Sequence, residues 1–288
     1  MLKKILSLSP ISFGLEVADT YGRAGVSRSA AALSYFLIMT LFPLLMCVNY
    51  FIGLFHLSLE QVLQGLNQFL PSGALSVMAD YLTYVAGIHS SALLWASLFT
   101  ILVSASAGLR TLFLTMDELY QVHRDNGFGR MILSIILSAL FLLTIYLSVI
   151  VIFTGDWFFW LLEEHLPSRL VELVPLEPLS ELWKWMRYLL LFCAVLLLVL
   201  AVYWVGTPKG TAPRRVLRLA ALITALAMVA CSALFSWFIG MSSRYALVYG
   251  SLASLIILLV WLYFCGNILL LGAVVSQVWS QRLKQQDA

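Results

Sequence analysis

The sequence predicts an all-α polytopic membrane protein with six transmembrane helices and both termini in the cytoplasm. Three observations lead to this fold class: 62% of the 288 residues are hydrophobic, only 11% are charged, and the charges are absent from six long intervals. A soluble domain carries about 25% charged residues. A chain with a mean hydropathy of +0.96 could not cover a water-facing surface, so an ordinary soluble enzyme and a disordered chain are both excluded.

The spans follow from the lengths of the uncharged intervals. A helix rising about 1.5 Å per residue needs about 20 apolar residues to cross the hydrocarbon. Six intervals are long enough, and they predict helices near residues 30–56, 90–114, 131–154, 187–206, 218–240 and 250–277. No linker or low-complexity tract separates them, so residues 1–288 are predicted to form a single membrane domain.

Two segments between spans predict amphipathic outer helices. Between the first and second spans, apolar residues from Leu59 to Leu70 recur at three-and-four spacing opposite Glu60 and three glutamines. This pattern is typical of a helix that lies at the membrane surface or caps the bundle. Between the third and fourth spans, residues 155–186 form a segment of similar size with tryptophans at its edges, as in an interfacial aromatic belt.

The basic residues predict the orientation. An even number of spans puts both termini on one side, and 13 of the 17 Lys and Arg residues fall on that side, against four on the other. Loops rich in Lys and Arg stay in the cytoplasm. Both termini are therefore predicted to be cytoplasmic, while six of the 14 acidic residues lie in the outer segment between the third and fourth spans.

Motifs of soluble enzymes are absent from the sequence. The four cysteines and four histidines are scattered, and no CxxC, HExxH, GxGxxG, Walker or GxSxG pattern occurs. Asp117, Glu118 and Asp125 are interspersed with arginines, which is more typical of a solvated, ion-paired loop than of a metal site. We therefore predict no enzyme activity, no catalytic residue, no metal, no cofactor and no nucleic-acid partner.

Polar residues inside the spans are the candidates for a binding site, because unpaired polar groups are costly in lipid and tend to face a cavity or a partner helix. Pro43 removes the hydrogen bond to the Met39 carbonyl and predicts a kink in the first span. Trp261 and Asn267 lie too deep for an interfacial belt and are candidates for a central site. The full candidate set for substrate binding is Tyr35, Pro43, Asn49, Ser104, Arg110, Asp117, Tyr249, Trp261 and Asn267.

The second span carries two features of its own. Thr100, Ser104 and Gly108 recur at four-residue steps, which favours close packing by a neighbouring helix over a lining role. Arg110 and Asp117 are seven residues apart and hence on nearly the same face. An ion pair between them would close the cytoplasmic end, although a direct contact would need a kink or a third partner.

Three stretches resemble the signature regions of the YihY/BrkB family of bacterial inner-membrane proteins. They are SAAALSYFLIMTLFPLL (29–45), SASAGLRTLFLTMDELY (104–120) and VYGSLASLIILLVWLYFCGNILLLGAVV (248–275). The resemblance covers nearly the whole chain, and its most specific element is the YGSLA, LLVWLYF and LLLGA run. It implies a six-helix protein of the bacterial inner membrane with a role in the envelope, and it supplies no established reaction.

Two positions depart from the family pattern. Asp117 stands where the family usually has asparagine, and the last span reads GAVVSQ where GAELN is usual. If these polar positions serve a site, the resemblance implies a different or differently charged ligand for this chain. Some relatives have carried a ribonuclease label, which no nuclease metal cluster or nucleic-acid-binding patch in this sequence supports.

Three functions stay open at this point. A transporter or exporter of a small molecule or lipid-like compound is favoured most, because the first, second and last spans are rich in polar groups. A non-transporting envelope-assembly or scaffold protein comes second, since no buried charge pair is available for ion coupling, and an intramembrane enzyme comes last.

The expected partners are membrane lipids, the transported compound and, in a homo-oligomer, further copies of the chain. A solvent-accessible cavity lined by Tyr35, Ser104, Trp261 and Asn267 would favour transport, and mutual satisfaction of those groups would favour a scaffold.

Overall fold

Eight α-helices are seen in the described part of the chain, in a computed structural model. The structure describes residues 10–55, 72–85, 91–122, 129, 132–141, 143–144, 176–241 and 253–286. The helices are α1 (Pro10–Arg23), α2 (Val26–Phe55), α3 (Ser72–Val85), α4 (Ser91–Tyr120), α5 (Ile132–Phe141), α6 (Leu176–Gly206), α7 (Arg214–Met241) and α8 (Ala253–Gln286).

Five of these helices, α2, α4, α6, α7 and α8, are long and apolar enough to cross a membrane. They coincide with five of the six predicted spans, which confirms an all-α polytopic membrane protein. The remaining predicted span, the third in chain order, lies near residues 131–154 and contains α5. Most of its other residues lie outside the described ones. Large apolar side chains on the spans are exposed, as expected where a helix faces lipid: examples are Trp95, Phe99, Leu197, Leu234 and Trp237.

Three helices extend well beyond the predicted spans: α4 ends at Tyr120, α8 ends at Gln286 and α6 begins at Leu176. α6 begins at Leu176, well before residue 187, because charged side chains end the apolar part of a helix without ending the helix itself. Pro178 lies in the first turn of α6, where no intrahelical hydrogen bond is lost. α2 ends at Phe55, close to the predicted end, and Pro43 lies within the helix. Residues 176–186 of the predicted outer segment are therefore the start of a long helix.

Helix α8 lies at the centre of the described bundle, packed against α1, α2, α3, α4 and α7. Two of its glycines permit close approach. A Cβ on Gly266 would lie 3.4 Å from the Ala30 carbonyl oxygen of α2, and a Cβ on Gly272 would overlap the hydroxyl oxygens of Tyr203 and Thr224. The glycines thus set the distance at which α2, α6 and α7 pack on α8.

The larger buried apolar cluster joins α2, α4, α5, α6, α7 and α8. Basic residues collect at one end of the described bundle, among them Arg23, Arg28, Lys209, Arg214, Arg215, Arg218, Arg282 and Lys284. A smaller cluster of Leu45, Met78 and Leu82 packs α3 against α2. The helix α3 follows the predicted outer amphipathic segment, whose residues 58–70 lie outside the described residues.

Candidate functional site

Helices α1 and α2 are separated by a two-residue break at Ala24 and Gly25. Gly25 has a φ of +59°, a left-handed conformation that glycine adopts at little cost. Its N–H donates to the Gly22 carbonyl at 3.2 Å, and its carbonyl accepts from the Ser29 N–H at 3.1 Å. These bonds fix the break, after which α2 continues along α8.

A surface cleft of about 400 Å³ opens at this break. Its lining combines small residues with hydroxyl groups and one cation: Tyr21, Gly22, Gly25, Val26, Ser27, Arg28, Ala31 and Tyr263. Arg28 is exposed, and its Nη2 lies 3.2 Å from the position that a Cβ on Gly25 would take. Glycine at position 25 therefore leaves room for the guanidinium to fold back over the break.

A chain of hydrogen bonds joins three helices beside the cleft. The Tyr21 hydroxyl of α1 donates to Asn267 Oδ1 of α8 at 2.6 Å, and Asn267 Nδ2 donates to the Tyr263 carbonyl at 2.9 Å. The Tyr263 hydroxyl and Ser27 Oγ of α2 share a hydrogen bond of 2.7 Å. Because an unpaired amide in an apolar bundle is costly, these contacts explain how Asn267 is accommodated in a membrane span.

Electrostatically, the cleft is positive. The two carboxylates of α1 are both paired: Asp19 with Arg23 at 2.8 Å, and Glu16 with Arg282 at 2.9 Å. The hydrogen bond from Arg282 lowers the pKa of the Glu16 carboxyl below its usual value. Within the described ranges Arg28 has no carboxylate partner, so its charge is available to a ligand.

Of the predicted binding residues, Asn267 alone adjoins this cleft through a hydrogen bond in the described part of the chain. Trp261 lies on a different face of α8, where its Nε1 donates to Ser232 Oγ of α7 at 3.2 Å. Tyr35 is 56% exposed on α2, with its ring edge-to-face against Phe36, and Ser104 is half-buried on α4. None of these four residues is among the lining residues of the cleft.

The remaining candidates are dispersed. Pro43 and Asn49 lie farther along α2, with Asn49 buried, and Tyr249 lies outside the described residues. Arg110 is exposed whereas Asp117 is only 7% exposed, so the two side chains occupy different environments and the predicted ion pair between them gains no support.

The two departures from the family pattern are both buried. Asp117 is on α4, and the GAVVSQ sequence places Ser276 and Gln277 in α8, where they are 0% and 6% exposed. In the same region Thr207 donates a long hydrogen bond of 3.4 Å to the Tyr120 hydroxyl. Among the described residues no group of three His, Cys, Asp or Glu side chains could hold a metal ion.

Sequence reasoning missed Tyr21, Ser27, Arg28 and Tyr263. Arg28 was used only as a topology marker, and α1 was not predicted. The signal for α1 was the four-residue spacing of Phe13, Val17 and Tyr21, which pack against the bundle.

Comparison with known proteins identifies relatives over almost the whole chain. A family model described as virulence factor BrkB matches residues 17–288. A Bacillus subtilis protein named ribonuclease-like protein YfkH is 24% identical over 278 residues, covering 96% of this chain and 98% of the relative. A UPF0761 membrane protein of Pseudomonas paraeruginosa is 25% identical over 293 residues, covering 94% of this chain and 65% of the relative. The chain thus spans slightly less than two thirds of the Pseudomonas protein, and no solved structure matches it.

Proposed function

The chain belongs to the BrkB family, and from that premise we propose that it transports or exports a small molecule or lipid-like compound across the bacterial inner membrane. The observation that carries the proposal is the cleft at the break between α1 and α2. Ligand sites commonly combine apolar side chains with a few convergent polar groups. Here the break coincides with a cation, two phenols and a serine hydroxyl.

The chemistry of the cleft supports binding and orientation. A guanidinium and hydroxyl groups donate hydrogen bonds to an anionic or polar group. The lining residues include no carboxylate or histidine that could serve as a general base. We therefore propose a non-enzymatic role, and the ribonuclease-like name of the Bacillus relative describes that protein only.

The proposed orientation puts the cleft at the cytoplasmic end. The basic residues concentrated at this end of the described helices favour a cytoplasmic location. With six spans, as the sequence predicts, both termini share that side. A compound leaving the cell would then meet the cleft first from the cytoplasm or from the inner leaflet.

A non-transporting envelope-assembly or scaffold protein is the second candidate. It is favoured by the satisfied polar groups of α8, since Trp261 bonds to Ser232 and Asn267 to Tyr21. Such a scaffold could act alone or as a homo-oligomer. It would need no substrate, so the two candidates differ in whether purified protein moves any compound.

Transport is tested by comparing lipids and metabolites of deletion and overexpression strains, then measuring flux of the differing compounds in proteoliposomes. We expect Asn267→Ala to reduce flux about tenfold by releasing the Tyr21 hydroxyl beside the cleft, a loss of about 1.4 kcal/mol. Thr115→Val is the matched control, because it removes a buried hydroxyl whose hydrogen bond, among the described residues, is to the Thr111 carbonyl within α4. If purified protein moves none of the differing compounds, the scaffold is the better proposal.

A further inference from the structure

One face of α2 leads from the cleft toward the middle of the helix. Arg28, Ala31, Tyr35 and Met39 are all exposed and follow one another at three-and-four spacing. A cation thus stands at the cleft end of a stripe that is otherwise apolar or aromatic. This is the order of groups that a surface complementary to a phospholipid would have, with the charge at the headgroup and apolar side chains beside the acyl chain.

The helix α8 continues the same order on the other side of the cleft. Tyr263 lines the cleft, and Leu259 and Ile256 are exposed at the next positions on that face. α2 and α8 touch at Ala30 and Gly266, so exposed apolar side chains of both helices lie near the cleft. The cleft therefore opens onto apolar surface rather than onto a polar surface alone.

The polar groups of the cleft have unused hydrogen-bonding capacity. Ser27 and Tyr263 share one hydrogen bond between two hydroxyl groups, so one hydroxyl hydrogen of the pair is left to donate. The Arg28 guanidinium carries a fork of N–H donors that matches a phosphate group. The acidic residues of α1 are already paired with Arg23 and Arg282 and do not neutralise it.

We propose that the cleft binds the phosphate headgroup of an anionic phospholipid from the cytoplasmic leaflet, with an acyl chain along the exposed stripe of α2. The lipid is favoured over free phosphate because the cleft continues into the apolar stripe, which a soluble anion would leave unused. The inference rests on the proposed function, because it names the class of substrate that the proposed transporter would move. Binding itself is measured without flux, so the two can fail separately.

The test is competitive lipid retention by the full chain in detergent, measured by native mass spectrometry with phosphatidylglycerol and phosphatidylcholine in equal amounts. We expect wild-type protein to retain phosphatidylglycerol preferentially. Arg28→Gln should weaken that retention about tenfold, the size expected for a hydrogen bond to a charged group, and Arg28→Lys should weaken it less. The matched control is Arg218→Gln, because Arg218 is exposed on α7 and its Nε bonds to the Arg214 carbonyl.

Each outcome decides the proposal. Retention lost in Arg28→Gln and kept in Arg218→Gln supports it, provided that both variants elute as the wild type does in size-exclusion chromatography. Equal loss in both variants indicates general attraction to a basic surface and overturns it. Displacement of phosphatidylglycerol by millimolar inorganic phosphate would make a soluble anion the ligand and would also overturn it. If Arg28→Gln does not fold, the retention of phosphatidylglycerol over phosphatidylcholine is compared between Arg28→Lys and the wild type. A weaker preference in Arg28→Lys supports the proposal, and an unchanged preference overturns it.

Discussion

Two of the polar networks on α8 in the described part of the chain differ in burial. Around Tyr203 of α6 the side chains are buried: the Tyr203 hydroxyl donates to the Leu269 carbonyl at 2.6 Å and lies 2.9 Å from Thr224 Oγ1 of α7. Around Asn267 the groups are partly open, and they border a cleft that carries Arg28. The Tyr203 network has no room for a ligand, whereas the Asn267 network has both room and charge.

The difference shows that a polar residue in a membrane span does not by itself mark a pathway. A hydroxyl with both of its hydrogen-bonding functions used and no accessible surface holds helices together. A hydroxyl that lies beside a cleft and has an unused hydrogen-bond donor or acceptor can bind a ligand. The predictions that follow separate these two roles by asking which network governs stability and which governs ligand handling.

The largest effect is expected at Gly272, in the Tyr203 network. A Cβ there would overlap the hydroxyl oxygens of Tyr203 and Thr224, so Gly272→Ala must displace two buried side chains. We expect a loss of about 2–3 kcal/mol in stability, in the range for overpacked cores. Gly14→Ala is the control, because a Cβ at Gly14 meets nothing within 4 Å. Thermal unfolding in detergent measures both, and an unchanged Gly272→Ala midpoint would show that the three helices can separate at little cost.

The next largest loss of stability is expected at Tyr203, and it should exceed the loss at Tyr21. Tyr203→Phe removes the hydrogen bonds to the Leu269 carbonyl and to the buried Thr224 hydroxyl, and should cost about 1–3 kcal/mol. Tyr21→Phe removes one hydrogen bond at a half-buried position and should cost about 1 kcal/mol or less. Flux and lipid retention should respond in the opposite order, with Tyr21→Phe the more damaging. A variant pair whose stability and flux losses run in parallel would mean that the cleft has no separate role.

The spans could be predicted from sequence because apolar length is a local property of the chain. Five of the predicted intervals recur as long helices, including the first, which tolerates Pro43. The charged residues 177–187 misled the prediction for α6, since charge limits the apolar window and not the helix. α1 was missed because its 14 residues are too short and too polar for a search based on membrane thickness.

The candidate site was largely beyond prediction, for a physical reason. Tyr21 and Asn267 are 246 residues apart in sequence, and Ser27 and Tyr263 are 236 apart. Spacing within one helix gives the face of a residue but not the helix that covers it. Asn267 could therefore be recognised as needing a partner, whereas Tyr21, in an unpredicted helix, could not be named as that partner.

The smallest effect is expected at the contact that holds α1 against the end of α8. Arg282 donates to Glu16 and to Ser12, and its hydrogen bond lowers the pKa of Glu16 from the usual 4.5. A lowered pKa in the folded state contributes stability that is present above 4.5 and is lost as the pH falls through the folded pKa. Because Glu16 is largely exposed, the contribution should be about 1 kcal/mol or less. Glu16→Gln should thus have a slightly lower midpoint temperature of unfolding than the wild type at pH 7, and the two midpoints should converge in more acidic buffer. A difference between the midpoints that stays constant with pH would mean that the carboxylate charge is not what holds α1 in place.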